Sequence, residues 1–162
     1  TQCDLGISSI SITDTRKSVM DFSTPYLDDD LALVASEDSG ISSLDDAKGK
    51  KVGVQQATTG ADYAEEQGID AQQFEDTGLL VQALQAGTID AALGNQSVLG
   101  YAIKDNPKFK SVEEFATGEQ LGISVKKGNT AMLEKVNGTL ERLTEDGSLE
   151  KFKTTWFGET AK

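Results

Sequence analysis

The 162-residue sequence contains no histidine, one cysteine, two prolines and few aromatic residues. Without histidine there is no Ser-His catalytic triad, and the usual general base and the commonest metal ligand are missing as well. The single cysteine, Cys3, excludes an internal disulfide and a thiolate metal cluster. The sequence therefore disfavours enzyme chemistry, and we predict no cofactor and no metal.

Cys3 leaves two interpretations open. It follows Thr1 and Gln2 within a strand-like run, which disfavours a lipid-modified N-terminus. Either it is a small buried thiol, as free cysteines usually are, or its partner lies outside this chain.

Basic residues and long apolar runs are also scarce. Lysine and arginine number 15 against 27 aspartates and glutamates, giving a formal net charge of −12. Such a field repels nucleic acid and anionic membrane surfaces, so neither is a predicted partner. No apolar run approaches the ~18 residues of a membrane span. No basic leader precedes an apolar segment, so we expect no signal peptide within these residues.

The residues that are present have ordinary globular proportions, with 37% hydrophobic and 26% charged side chains. From Lys51 to about residue 115, strand-like and helix-like segments alternate, which predicts an α/β fold with a mostly parallel sheet. Before them we expect strands over 3–11 and 31–35, with a short helix over 14–22 that is capped by Thr13. After them we expect a strand and then a long helix capped by Asn129.

The two ends of the chain carry apolar side chains that have little to pack on. Contiguous exposed apolar surface of this kind usually finds a partner. We therefore expect self-association, or a separate chain that covers these residues: Leu5, Ile7, Val19, Phe22, Val136, Leu140, Phe152 and Trp156.

The first candidate site is the stretch KVGVQQATTGADYAEE, where a predicted strand ends at Gln55 and a helix begins near Gly60. The free N–H groups and positive dipole end of a helix N-terminus favour a carboxylate or phosphate. Thr58 and Thr59 add hydroxyl donors. The alternative is that Thr59 is only an N-cap. The stretch matches neither a Walker loop nor the GxGxxG fingerprint.

Arg16 is the second candidate, because a cation at the start of a short helix opposes the helix dipole. Such an arginine usually has an anionic partner, and its planar fork suits a carboxylate. A solvated surface arginine is the alternative. Asn95 is the third candidate, since polar groups just past the carboxyl end of a buried α/β strand often bind ligands; here a plain turn is the alternative.

Taken in order, the segments resemble the solute-binding proteins of polar amino-acid ABC importers. The motif D-x-x-I-S-x-x-S-I-T-x-x-R…F-S-x-P-Y is matched from Asp4 to Tyr26. Further motifs are matched from Ser43 to Ala64 and from Ala83 to Ala91. G-I-x-V-x-K-G-N, D-G-S-L-x-K and W-F-G extend the match to Gly158.

The resemblance implies an α/β, type II periplasmic-binding-protein-like fold, with one complete α/β lobe plus a partial second lobe. It assigns residues 30–124 to the complete lobe, and 1–29 with 125–162 to the partial lobe, whose opening segment is missing. A small amino acid or related carboxylate would bind in the interlobe cleft, the lobes would close about a hinge, and an ABC transporter permease would recognise the closed form. The location would be extracytoplasmic, in the periplasm or at the outer face of the cytoplasmic membrane.

The resemblance also implies roles for individual residues. Arg16 and Ser11 would bind the ligand α-carboxylate together with Thr59, while Ser9 would bind the α-amino group. The pocket would be bordered by Ser8 and Thr58. Two positions depart from the family pattern: Asn95 replaces an aspartate that pairs with the ligand ammonium, and Ala57 replaces a common glycine.

Two rival functions stay open on the sequence. A dehydratase of the same fold would bind a similar cyclohexadienyl carboxylate, and would need an acid aimed into the cleft. A ligand-binding domain of a receptor or sensor kinase would need a transmembrane segment elsewhere in its chain. A non-enzymatic binding protein is the function we predict.

Overall fold

The computed structural model describes residues 3–158, and the chain divides into two compact units. Unit 1 comprises the residues up to Asp29 together with those from Gly118 onward, and unit 2 is Asp30–Thr117. The sequence analysis set the second boundary after residue 124. The structure sets it after Thr117, because the strand that follows pairs entirely with strands of unit 1.

The strands in chain order are β1 Leu5–Ser11, β2 Met20–Phe22, β3 Leu27–Asp28, β4 Leu31–Ser36, β5 Val52–Gln55, β6 Gln72–Phe74, β7 Ala91–Asn95, β8 Phe109–Phe115 and β9 Gln120–Lys126. The helices are α1 Asp14–Lys17, α2 Leu44–Ala47, α3 Thr59–Glu66, α4 Thr77–Gln85, α5 Gln96–Ile103, α6 Thr130–Glu145 and α7 Ser148–Phe157.

Unit 2 is a five-stranded sheet in the order β6-β5-β7-β4-β8. β5 pairs in parallel with β6 and β7, whereas β4 pairs antiparallel with β7 and β8. The sheet is therefore mixed, not mostly parallel as predicted. The reason is that a strand buried on both faces has the same continuous apolar sequence whichever direction its neighbours run.

Helices cover both faces of this sheet because successive side chains of β4 point to opposite sides. Leu33 and Ala35 pack in one apolar cluster with residues of α2 and α3, while Val34 packs in another with residues of α4 and α5. Each large side chain buried in this way contributes about 1.5–3 kcal/mol. The two clusters hold β5 and β7 in the middle of a three-layer arrangement.

The approach of α3 to β7 depends on a pair of glycines. A Cβ added to Gly60 would lie 2.9 Å from the Cα of Gly94 and 3.2 Å from the carbonyl oxygen of Leu93. Both obstacles are backbone atoms of a buried strand, which cannot rotate away. Gly60 therefore sets how closely the first turn of α3 sits on β7.

In unit 1 the central strand is β9, with β1 antiparallel on one side and β2 and β3 on the other. The helix predicted over 14–22 is wrong in its second half, because α1 ends at Lys17 and residues 20–22 are β2. Pairing with β9 overrides the local helical pattern, and the Asp21 carboxylate supports it by accepting from the Gly128 N–H at 2.7 Å.

Of the eight apolar residues expected to lack partners, Phe22 is half-buried and the other seven fall into two groups. Val136 and Leu140 of α6 are buried with Ile123, and Leu5 packs against that cluster. Four side chains are more than half exposed, namely Ile7, Val19, Phe152 and Trp156. Self-association through them stays a prediction.

Cys3 is exposed. Its interpretation as a buried thiol is therefore wrong, since no packing of unit 1 covers it.

Within residues 3–158, the structure contains no helix with the length and apolarity needed to cross a membrane.

Replacing Gly60 with alanine should destabilise unit 2 by about 1–3 kcal/mol, the usual cost of forcing an extra carbon into a packed contact. The matched control is Gly100→Ala in α5, where a Cβ would meet nothing within 4 Å. That change should stabilise by about 0.5–1 kcal/mol through helix propensity alone. Urea unfolding of both variants tests the contact, and equal effects of the two substitutions would contradict it.

Candidate functional site

In unit 2, three predicted site residues lie at one edge of the sheet. β5 and β7 run in parallel with Val54 opposite Leu93, so their carboxyl ends meet at the same edge. The contact between Gly60 and Gly94 brings the start of α3 to this edge. The structure therefore places Thr58, Thr59 and Asn95 where open α/β sheets bind ligands.

The N-cap of α3 is Thr58, so Thr59 is its first helical residue and does not cap it. The Thr58 hydroxyl donates to the Gln55 carbonyl at 2.7 Å and accepts from the Ala61 N–H at 3.3 Å. The preceding residue, Ala57, has a φ of +57°. Thr58 is thus held by Gln55 on one side and Ala61 on the other. The first N–H groups of α3 point out of the N-terminal end of the helix.

Asn95 is the last residue of β7 and directly precedes α5. It occupies the N-cap position of α5 but makes no side-chain cap hydrogen bond there. Its side chain is half-buried. The Asn95 side chain therefore does not cap α5, and its role in ligand binding stays a prediction.

In unit 1, Ser8 and Ser9 lie on a bulge in β1. Gly6 pairs with Ser124 and Ile10 with Gly122, so three residues of β1 face one residue of β9. Ser9 has a φ of +47°, which serine seldom adopts. Bulges re-aim side chains beside functional sites, and this one separates both serines from the regular ladder.

Tyr26 contacts the bulge at Ser9. Burial of the Tyr26 hydroxyl raises its pKa above the ordinary value, hydrogen bonding with Ser9 opposes that shift, and the Asp29 carboxylate adds to it. The Tyr26 N–H also donates to the Leu121 carbonyl at 3.0 Å. Tyr26 is therefore fixed by β9 and in turn supports the strained residue of the bulge.

Arg16 lies close to Ser11. Its Nη1 donates to the Ser11 carbonyl at 3.0 Å, and its own N–H donates to the hydroxyl of Thr13, the N-cap of α1. Because α1 has only four residues, Arg16 falls in its last turn. The argument that its position opposes the helix dipole is therefore wrong. What distinguishes Arg16 is its contact with the end of β1.

Ser11 is 2% exposed, and its hydroxyl donates to Oε2 of Glu119 at 2.6 Å. Sequence reasoning missed both Glu119 and Tyr26 as members of this site. Glu119 is 108 residues from Ser11 along the chain. Only the antiparallel pairing of β1 with β9 brings them together, and no local pattern marks that pairing.

No group of three or more metal-ligating side chains suited to a metal ion occurs among residues 3–158.

Comparison with known proteins gives one consistent result. The family model for bacterial extracellular solute-binding proteins, family 3, matches residues 1–159. The L-cystine-binding protein TcyJ of Escherichia coli K12 is 34% identical over 160 residues, which cover 96% of this chain and 60% of that protein. The arginine-binding extracellular protein ArtP of Bacillus subtilis 168 is 33% identical, with 96% and 64% covered.

Solved structures agree. The arginine-, lysine-, histidine-binding protein ArtJ from Geobacillus stearothermophilus has a TM-score of 0.86 at 33% identity, covering 96% of this chain and 70% of that one. An ancestral arginine-binding protein bound to glutamine has a TM-score of 0.86 at 38% identity, covering 96% and 72%. The predicted α/β, type II periplasmic-binding-protein-like fold is thereby confirmed. The chain spans about three fifths of the length of the first curated relatives.

Alkaline titration can test the contact between Tyr26 and Ser9. Since the native pKa of Tyr26 is raised, its contribution to stability is present below the unfolded value of ~10 and is lost as pH rises through the native pKa. Tyr26→Phe should remove one late tyrosinate transition from the near-ultraviolet absorbance. Ser9→Ala should move that transition to still higher pH, because a hydrogen bond that opposes the shift is lost. A Tyr26 transition unaffected by Ser9→Ala would contradict the contact with the Ser9 side chain.

Proposed function

Because the chain belongs to the bacterial extracellular solute-binding proteins, family 3, we propose that it binds a small amino acid or related carboxylate for an ABC importer. The curated relatives named above are binding proteins for cystine and arginine. The observation that carries the proposal is the position of Arg16, a guanidinium held at the end of β1 by the Ser11 carbonyl. A planar guanidinium fixed in this way suits a carboxylate ligand.

Each unit contributes part of the proposed site. Unit 1 offers Arg16 for the α-carboxylate, with Ser8 and Ser9 on the bulge of β1. Unit 2 offers the start of α3 at Thr59, bordered by Thr58, and the Asn95 amide. In this proposal the ligand lies in an interlobe cleft, and its binding closes the lobes about a hinge.

The remaining assignments follow from the family. The protein acts outside the cytoplasm, in the periplasm or at the outer face of the cytoplasmic membrane, and its closed form is recognised by an ABC transporter permease. Function requires no cofactor and no nucleic acid. The family is one of binding proteins and not of enzymes, so the dehydratase gains no supporting observation.

A thermal-shift screen of the natural amino acids with the full-length protein tests this function. The amino acid that stabilises most, confirmed by calorimetry, is the ligand. If no amino acid shifts the unfolding temperature, and none is retained in native mass spectrometry, the proposed function is wrong.

Arg16→Ala should abolish carboxylate binding in the full-length protein and leave the fold intact. Removing one partner of a desolvated charge pair costs ~2–5 kcal/mol, or roughly 30- to 4,000-fold in affinity. The control is Arg142→Ala, which removes an exposed arginine of α6 and the same charge. Calorimetry should show a loss only for the first variant, and a loss below about threefold would exclude Arg16 as the carboxylate ligand.

Asn95→Asp tests whether the side chain at position 95 contacts the ligand amino group. An asparagine offers one carbonyl acceptor without charge, whereas an aspartate adds a charge-assisted hydrogen bond. Such bonds contribute about 1.5–3 kcal/mol against 0.5–1.5 kcal/mol for neutral ones. For an ordinary α-amino acid whose ammonium has no other carboxylate, affinity should rise by about tenfold or more.

For a ligand without a free ammonium, affinity should fall, because the new carboxylate would face the carboxylate of the ligand. An unchanged affinity for both kinds of ligand would mean that Asn95 does not touch the ligand. The calorimetric comparison therefore tests the residue and the class of ligand together.

A further inference from the structure

Ser11 is attached to two side chains of opposite charge. Its hydroxyl donates to the Glu119 carboxylate at 2.6 Å, and its carbonyl accepts from the Arg16 guanidinium at 3.0 Å. Ser11 itself is 2% exposed, so it cannot shift to water to exchange these contacts. One buried residue thus sets the positions of an anion and a cation within unit 1.

The direction of the hydrogen bond limits what Ser11 can do next. An ionised carboxylate carries no hydrogen, so the hydroxyl of Ser11 must be the donor to Glu119. A hydroxyl has only one hydrogen, and its remaining capacity is to accept. While it donates to Glu119, the Ser11 hydroxyl cannot also donate to a ligand carboxylate. It can accept from a ligand ammonium.

We propose that Glu119 is the residue that makes unit 1 selective for a ligand amino group. It orients the Ser11 hydroxyl as an acceptor and supplies negative charge beside it. This inference rests on the proposed function, in which Arg16 binds the ligand carboxylate. The carboxylate of the amino acid would then face Arg16, and its ammonium would face Glu119. The uncharged Asn95 would not be needed to neutralise the ammonium.

The backbone around Glu119 supports a fixed position for its carboxylate. Its carbonyl accepts from the Asp29 N–H at 2.9 Å, and the next residue, Gln120, accepts from the Ile12 N–H at 2.8 Å. Glu119 is half-buried and directly precedes β9. The backbone of Glu119 is therefore held by hydrogen bonds, and its carboxylate is held by Ser11. A side chain fixed in this way loses little further freedom when a ligand binds, which favours binding.

A purely structural role is the competing explanation, in which Glu119 only joins the end of β1 to β9. The two roles differ in what they do to ligand choice. A structural contact would affect all ligands alike, whereas a charge that faces the ammonium affects only ligands that have one. The comparison therefore needs two ligands that differ only in the amino group.

The experiment uses the full-length protein and two probes, which are the amino acid retained by the wild type and the same acid with its α-amino group replaced by hydrogen. Glu119→Gln keeps an acceptor oxygen for Ser11 and removes the charge. We expect it to weaken binding of the amino acid by about five- to tenfold, and binding of the desamino acid by less than twofold. The control, Asp28→Asn, removes an exposed carboxylate that accepts from Gln120 at 2.8 Å, and should leave both affinities unchanged.

Two further variants test the route through Ser11. Ser11→Ala should also weaken the amino acid selectively, and Ser11→Ala combined with Glu119→Gln should cost less than the sum of the two changes. Glu119→Asp, which keeps the charge on a shorter side chain, should recover part of the loss. An unfolding temperature of the ligand-free Glu119→Gln protein close to that of the wild type would exclude a folding defect.

Equal losses for both probes, or no loss for either, would overturn the proposal for Glu119. Additive effects of the two substitutions would overturn the route through Ser11. If the wild type retains no amino acid, the proposed function itself fails, and the wild-type measurement alone reports that before any variant is made.

Discussion

The antiparallel pairing of β1 with β9 is the interaction on which unit 1 depends. The two strands come from distant parts of the chain, with Ser11 opposite Leu121, and the whole of unit 2 lies between them in sequence. Closing so long a loop costs only slightly more than closing a shorter one, since the entropy grows with the logarithm of length. In return the pairing places Ser11 beside Glu119 and fixes Tyr26 against the bulge. The candidate residues of unit 1 are thus products of one tertiary contact.

Net charge and local charge act at different ranges in this protein. A balance of −12 opposes the approach of an anion from a distance. At physiological salt that field is screened within about 8 Å, whereas a hydrogen-bonded guanidinium acts at contact. In the proposed function, Arg16 can therefore bind a ligand carboxylate although acidic residues outnumber basic ones.

Much of the architecture could be predicted from the sequence because its signals are local. The β4 segment is a continuous apolar run, and Thr13, Ser43 and Asn129 cap the helices that follow them. The misses have tertiary causes. Residues 20–22 form β2 through pairing with β9, and the direction of β4 depends on neighbours that its own residues do not specify. At the site, the hydroxyl-rich segments were visible in sequence, but the contact between Ser11 and Glu119 was not.

Each unit has one strained non-glycine residue in its candidate segment. Among the residues that the structure describes, the non-glycine residues with positive φ are Ser9 and Ala57, at +47° and +57°. Each such conformation costs of order 1–3 kcal/mol and persists only where its surroundings enforce it. Ser9 is held by Tyr26, and the residue after Ala57 is held by the Gln55 carbonyl and the Ala61 N–H. A glycine in place of Ala57 would adopt this φ without strain. Ala57 keeps its left-handed conformation directly ahead of Thr58, the N-cap of α3, because the hydrogen bonds of Thr58 hold the turn in place.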